Sequence, residues 1–182
     1  MPIKLASLAL LITSAILTGC SSSSDGADND ATTNPVPGSD PIIAPQLSGR
    51  YNGNYLRACR EDQGVWEQDE LSIEGSVAII RNAEFTDAGC TQLDIEFLTT
   101  LSIEYTGGTM NTALGVADFV TFTPETATFN GESINLGNVS LYDLILLDGN
   151  NLHFGLLTTE TDGSSPQTRP VQIDVDESAV RL

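Results

Sequence analysis

Three cysteines and one histidine are the side chains best suited to covalent or proton-transfer chemistry in this 182-residue chain. Cys59 and Cys90 do not have the Cys-x-x-Cys spacing of a redox pair, and no helix start lies beside them. His153 follows a turn in Leu152-His153-Phe154-Gly155 and has the chemistry of a general base. As a lone histidine at the start of a strand, it is expected to be an exposed strand residue. No Gly-x-Ser-x-Gly elbow offers a nucleophile to it. The adjacent carboxylates Asp69/Glu70 and Asp176/Glu177 read as solvated strand ends, not as a buried acid–base pair. One histidine and a bridged cysteine pair leave only carboxylates as metal ligands. The nearest thing to a calcium loop, Asp25, Asp28 and Asp30, falls in a Ser/Asp/Pro-rich stretch ahead of any domain. The expectation is no catalytic residue, no metal, no cofactor and no enzyme activity.

The third thiol, Cys20, has a different setting. Met1-Pro2-Ile3-Lys4 gives a short positive start, and Leu5 to Ile16 is an apolar run broken only by Ser7, Thr13 and Ser14. Such a run is too short to span about 30 Å of hydrocarbon, but suits the core of a signal peptide. It ends in Leu17-Thr18-Gly19-Cys20. This tetrapeptide resembles the lipobox of bacterial lipoproteins. The resemblance implies cleavage before Cys20, a diacylglyceryl group on its thiol and an acyl group on its freed amine. At about 0.8 kcal/mol per buried methylene, two or three chains hold far more firmly than one. Ser21, where lipoproteins retained at the inner membrane often carry Asp, implies the outer membrane, facing the periplasm or the cell surface.

Organisation follows from composition. Residues 1–19 read as the signal peptide, 20–46 as the lipidated cysteine and a disordered acidic Ser/Pro linker, and 47–182 as one domain. As a flexible coil the linker would reach about 25–30 Å, so the domain floats just clear of the lipid. The whole chain carries 25 acidic and 7 basic residues, a formal charge of −18. Its only lysine, Lys4, goes with the signal peptide, so the mature chain is one unit more negative and its cations are all arginine. Such a surface repels nucleic-acid phosphates and anionic headgroups, leaving the Cys20 anchor as the membrane contact.

Within the domain the clearest pattern is Leu93, Ile95, Phe97, Thr99, Leu101, Ile103, Tyr105, alternating with Asp94, Glu96, Leu98, Thr100, Ser102 and Glu104. Period two predicts a strand with one buried face, and thirteen residues predict strong curvature or a bulge. Further strands are predicted at Gly49–Arg57, Glu70–Ile73, Ser76–Phe85, Val116–Thr123, Ala127–Phe129, Asn138–Leu147, Asn151–Thr158 and Val171–Val175. Gly107-Gly108, Asn130-Gly131, Asp148-Gly149-Asn150 and Asp162-Gly163 supply the turns. No helical stripe competes. Many short strands with frequent turns give an all-β domain, a single antiparallel barrel or an open sandwich. Exported and left as the one remaining pair, Cys59 and Cys90 are expected to form a disulfide.

Gly49-Arg50-Tyr51 and Gly53-Asn54-Tyr55 at the first strand, with Arg181 next to the C-terminal residue, resemble the lipocalin-like (calycin) group. There a Gly-x-aromatic motif packs its ring at the closed end of a barrel, under an arginine from the end of the chain. Tyrosine stands here where that group usually has tryptophan. The resemblance implies that Arg181 stacks on Tyr51 or Tyr55 to close the barrel. Leu56-Arg57-Ala58-Cys59, Phe85-Thr86-Asp87-Ala88-Gly89-Cys90, Leu152-His153-Phe154-Gly155 and Arg169-Pro170 also resemble small bacterial lipoproteins with one cysteine-bridged β-domain. That second resemblance brings no activity with it.

The expected function is that of an anchored binding module, holding a small apolar molecule or presenting a surface to an envelope protein. Leu93, Ile95, Phe97, Leu101, Ile103 and Tyr105 would face the ligand, with Trp66 at the mouth. The alternative is a structural or adaptor lipoprotein with a solid core.

Overall fold

The computed structural model describes Leu47, residues 49–137 and residues 139–182. The expected signal peptide (1–19), the lipidation site Cys20 and the linker to Gln46 lie outside the described residues. Ten antiparallel strands make up the fold: β1 (Gly53–Leu56), β2 (Arg60–Asp62), β3 (Val65–Glu74), β4 (Val77–Phe85), β5 (Leu93–Thr112), β6 (Gly115–Phe129), β7 (Glu132–Ile134), β8 (Leu141–Asp148), β9 (Asn151–Gly155) and β10 (Ile173–Arg181).

Eight of them close a barrel in the order β1-β10-β9-β8-β6-β5-β4-β3, with β3 returning to β1. Closure removes the open edges that a sandwich would leave. β1 is the closing element. Tyr55 pairs with Arg181 of β10 on one side and with Leu71 of β3 on the other. The remaining strands, β2 and β7, extend β3 and β6 past the barrel wall.

Alternation sets the core. Leu71, Ile73, Ala78, Ile80, Leu101, Ile103, Tyr105, Val120 and Phe122 come from four successive strands and form one buried cluster with Tyr51, Tyr55 and Leu47. A second, smaller cluster lies on the other face of the wall. Ala117 of β6, Leu144 and Leu146 of β8 and Ile173 of β10 pack there with Met110 and Phe119. Asp118 and Val120 face inward and Ala117 and Phe119 outward, so this stretch of β6 is buried on both faces.

The structure corrects several strand boundaries. Gly107-Gly108 is not a turn. β5 runs through it to Thr112 with a register shift between Tyr105 and Thr109, and Gly107 takes up the distortion at φ +77°. Pro124 does not split the two strands expected at Val116–Thr123 and Ala127–Phe129. β6 pairs with β8 through Phe122 and with β7 from Ala127, so the missing N–H of Pro124 falls where no neighbour needs it. β2 and β7 were not expected; three residues each are too few to show a period. Asn130-Gly131 forms the β6–β7 turn with both residues at positive φ, the conformation that favours Asn-Gly in tight hairpins. The last strand begins at Ile173 and runs to Arg181, six residues past its expected end at Val175.

Candidate functional site

Two clusters of polar side chains sit at opposite ends of the barrel. At the closed end, Tyr51 and Tyr55 are fully buried. The Tyr51 hydroxyl donates to Asp118 Oδ2 at 2.5 Å, and Arg50 pairs with the same oxygen at 3.2 Å. Tyr55 donates to the Tyr51 carbonyl at 2.7 Å. Arg181 covers the cluster: its guanidinium carbon lies 5.2 Å from the Tyr55 ring centroid, and Nη2 donates to the Tyr55 hydroxyl at 2.6 Å. The contact is with Tyr55, while Tyr51 stacks on Tyr105 at 5.9 Å. Burial pushes the Tyr105 phenol up to about 12 and raises Tyr51 further. These groups stay neutral at any physiological pH, and they hold structure.

The open end holds charge. Arg57, only 6 % exposed, pairs with Asp69 at 3.2 Å and Glu177 at 2.9 Å. Arg60 pairs with Asp69 at 3.2 Å and Glu67 at 3.3 Å, and Asn82 Nδ2 donates to the other Asp69 oxygen at 2.9 Å. Asp69 is therefore a buried hub, not the solvated strand end expected from sequence. Period two points it into the barrel with Leu71 and Ile73. Glu177 is likewise an ion-pair partner. It belongs to a bulge between Ile173 and Ser178 of β10, which bends that stretch against Arg57.

Below this network lies a cavity of about 30 Å³ bordered by apolar Leu71, Ile80, Leu101, Phe122 and Phe154, with Arg57, Asp143, Asp174 and Glu177 as its polar groups. That is room for one or two waters, far short of the roughly 300–1,000 Å³ of pockets that take drug-sized ligands. Asp143 is 4 % exposed. Both of its hydrogen bonds fall on Oδ1, from the backbone N–H groups of Leu144 at 2.7 Å and Gly155 at 3.0 Å. Burial pushes the Asp143 carboxyl up to about 7, against the pull of those two N–H groups and of Arg169. Arg169 lies outside the wall, 4.7 Å over Phe119 and 5.6 Å over Tyr142, and donates to the carbonyls of Val120 and Asp143 at 2.6 and 2.5 Å.

Of the residues expected to line a ligand space, Leu101 borders this cavity. Ile103 and Tyr105 are buried nearer the closed end. Leu93, Ile95 and Phe97 belong to the part of β5 that outruns the wall: Leu93 is 50 % exposed, and Phe97 meets Phe129 at 4.8 Å. Trp66 pairs with Phe85 on the outer face, in alternation with the inward Asp69. The Cys59–Cys90 disulfide is present, with Cα atoms 5.9 Å apart, and joins the segment after Arg57 to the β4–β5 loop. His153 is not an exposed residue. It is 5 % exposed, covered by the β10 bulge, with Nδ1 3.2 Å from the Asp174 carbonyl.

Asp143, Arg57 and Glu177 were missed as site residues. The signal for Asp143 was present. Leu141, Asp143, Ile145 and Leu147 share one face of an apolar strand, so a carboxylate there had to point inward. Arg57 and Glu177 meet across β1 and β10, a pairing that no local pattern encodes.

No family model matches the chain, and no curated protein matches its sequence.

Proposed function

We propose that this chain is a cell-envelope lipoprotein, acylated at Cys20 and tethered by residues 21–46. Its barrel acts through contacts at its surface and rim, not by carrying an apolar molecule or turning over a substrate. The observation that carries this reading is the internal space of about 30 Å³. A fatty-acid-sized tail displaces several times that volume, and a close-packed core resists insertion of even one extra methylene.

Charge supports the same reading and narrows the partner. Each of the six described arginines is engaged: Arg50, Arg57, Arg60 and Arg81 with carboxylates, Arg169 with carbonyls, and Arg181 with Tyr55. The remaining surface charge is almost wholly carboxylate. A partner approaching it is favoured if basic and repelled if acidic. Ser21 after the cysteine favours residence in the outer membrane.

The test is retention of a fluorescent fatty-acid analogue by the full chain in mild detergent. The reading expects no saturable binding beyond that of detergent alone. Stoichiometric binding that unlabelled fatty acid displaces would restore the carrier function.

A further inference from the structure

We propose that the lip on the β5–β7 side of the barrel mouth docks a segment of a partner protein whose apolar side chains are bracketed by basic ones. The inference rests on the surface-acting reading above and names the place and the chemistry of the contact.

Pairing across the sheet builds this surface. Residues opposite each other in antiparallel strands point to the same side, so β4, β5, β6 and β7 carry the inner face of the barrel past its rim. One row runs Asn82, Phe97, Phe129 and Glu132; the flanking rows add Glu84 with Ile95 and Ala127 with Ile134. The result is an apolar shelf of Ile95, Phe97, Phe129 and Ile134. Its two rings meet at 4.8 Å, and Phe129 and Ile134 are 36 % and 38 % exposed. Beside the shelf, where β7 parts from β8, an open groove of about 470 Å³ runs between residues 124–127 and 133–137. Such a volume lies inside the roughly 300–1,000 Å³ of clefts that bind ligands, which the barrel interior does not approach.

Charge selects the occupant. Glu84 and Glu132 flank the shelf on its own face, and Glu125 borders the groove. The arginines that meet carboxylates do so at Asp118, Asp69, Glu177, Glu67, Glu70 and Glu96. Glu84, Glu125 and Glu132 thus have no ion-pair partner among the described residues. A partner that covers the shelf must bring cations to its two edges. From β4 to β7 is three strand spacings, about 15 Å, so basic residues about four positions apart in an extended segment span it. Long basic side chains also lay their methylenes along apolar surface.

Other occupants fit less well. A second copy would set the same glutamates against each other. The chain's own tether joins the barrel at Leu47, buried in the cluster with Tyr51 and Tyr55, at the end opposite the lip. Its most apolar stretch, Ile42-Ile43, stands four residues before Leu47. Four extended residues span at most about 14 Å, whereas a wall of tilted eight-residue strands such as β8 is about 20 Å tall. An anchor entering at the closed end also leaves the lip far from the lipid, and anionic headgroups meet the same glutamates.

The experiment is calorimetric titration of the full chain in mild detergent, with protein-free detergent as the blank. The probe is an N-acetylated, amidated peptide with Lys-Leu-Phe-Leu-Lys at its centre. One control peptide has serine for the apolar residues, and another has glutamate for the lysines. Phe129→Ser/Ile134→Ser removes the shelf, and Val77→Ser/Ile79→Ser removes two similarly exposed side chains from the outer face of β4. Expected is saturable binding to the parent and to the outer-face variant, weakened roughly tenfold or more in the shelf variant and with either control peptide. Affinity should also fall several-fold as salt rises from about 0.05 M to about 0.5 M. Absence of saturable binding to the parent, equal loss in both variants, or equal binding of either control peptide overturns the proposal. The peptide series on the parent needs no variant, so a misfolded variant leaves the test intact. Sedimentation of the parent as a dimer that the shelf variant loses would assign the shelf to a second copy instead. Trp66, the single tryptophan, lies in the lip beside Phe85. Its quenching by brominated phospholipid in vesicles carrying the full chain would assign the lip to the membrane. Fatty-acid retention is read separately, so the two readings fail separately.

Discussion

Arg181 and Tyr55 meet across the barrel closure: they pair in register between β10 and β1, and the guanidinium both covers the ring at 5.2 Å and bonds its hydroxyl at 2.6 Å. A second bond from Arg181 Nη2 reaches the Arg50 carbonyl at 3.2 Å. One side chain thus joins the last strand to the first and to the segment before it. Arg181→Ala should cost about 1–3 kcal/mol, the sum of a partly desolvated cation–π contact and hydrogen bonds to a buried hydroxyl. Arg181→Lys should recover only part of this, because an ammonium cannot cover the ring and span both acceptors. Urea denaturation of the three proteins measures the difference, and an Ala variant as stable as the parent would remove this contact from the closure.

Asp143 predicts how stability varies with pH. Its folded pKa, pushed up to about 7 by burial, lies above the value of an unfolded aspartate, about 3.9. The folded state therefore holds a proton that the unfolded state has lost over that window. This contribution is intact below about pH 4, declines as pH rises toward 7, and is fully lost above it. Asp143→Asn cannot ionise. Its melting temperature relative to the parent should rise steadily from pH 4 to pH 7.5, and parallel curves would show that Asp143 does not titrate in this window.

Gly155 is fixed by contact, not by backbone conformation. A Cβ there would run into Asp143 Oδ1 and the Pro170 ring. Gly155→Ala should destabilise by about 1–3 kcal/mol through overpacking, and should also disturb the hydrogen bond that Gly155 N–H gives Asp143. Thermal unfolding reads the first effect. The second should appear as a changed pH profile of stability, and an unchanged profile would dissociate Gly155 from the carboxyl.

The Cys59–Cys90 bridge spans 31 residues of sequence and encloses the whole of β2, β3 and β4. Chain-entropy reasoning gives it about 3–4 kcal/mol. Unfolding with and without reductant should differ by that amount, and a Cys59→Ser/Cys90→Ser variant should match the reduced protein.

Much of this architecture is written locally. The alternation through Leu93–Tyr105 identifies a one-sided strand, and Asn130-Gly131 and Asp148-Gly149 mark their hairpins without any tertiary knowledge. The closing contact of Arg181 with Tyr51 or Tyr55 follows from the resemblance to the lipocalin-like group and not from any local pattern, and the structure places it on Tyr55. What stays hidden depends on length and register. β5 outruns the barrel wall, so Leu93 and Phe97 keep the apolar period of a core strand while projecting beyond the core. His153 looks exposed by its flanks, yet the β10 bulge that covers it is made by residues over twenty positions away. The same bulge brings Glu177 to Arg57. The network at the mouth is a product of fold closure, and only Asp69 and Asp143, acids in step with the apolar faces of β3 and β8, left a readable trace.

The central claim is that a strongly anionic barrel is held at a membrane by acylation of one thiol. Labelled palmitate supplied to cells making the parent and Cys20→Ser chains tests it most directly. The account predicts label in the parent band alone, with the serine variant uncleaved before residue 20 and without label. Palmitate incorporated equally into both chains, or into neither while the parent still partitions into membranes, would contradict it.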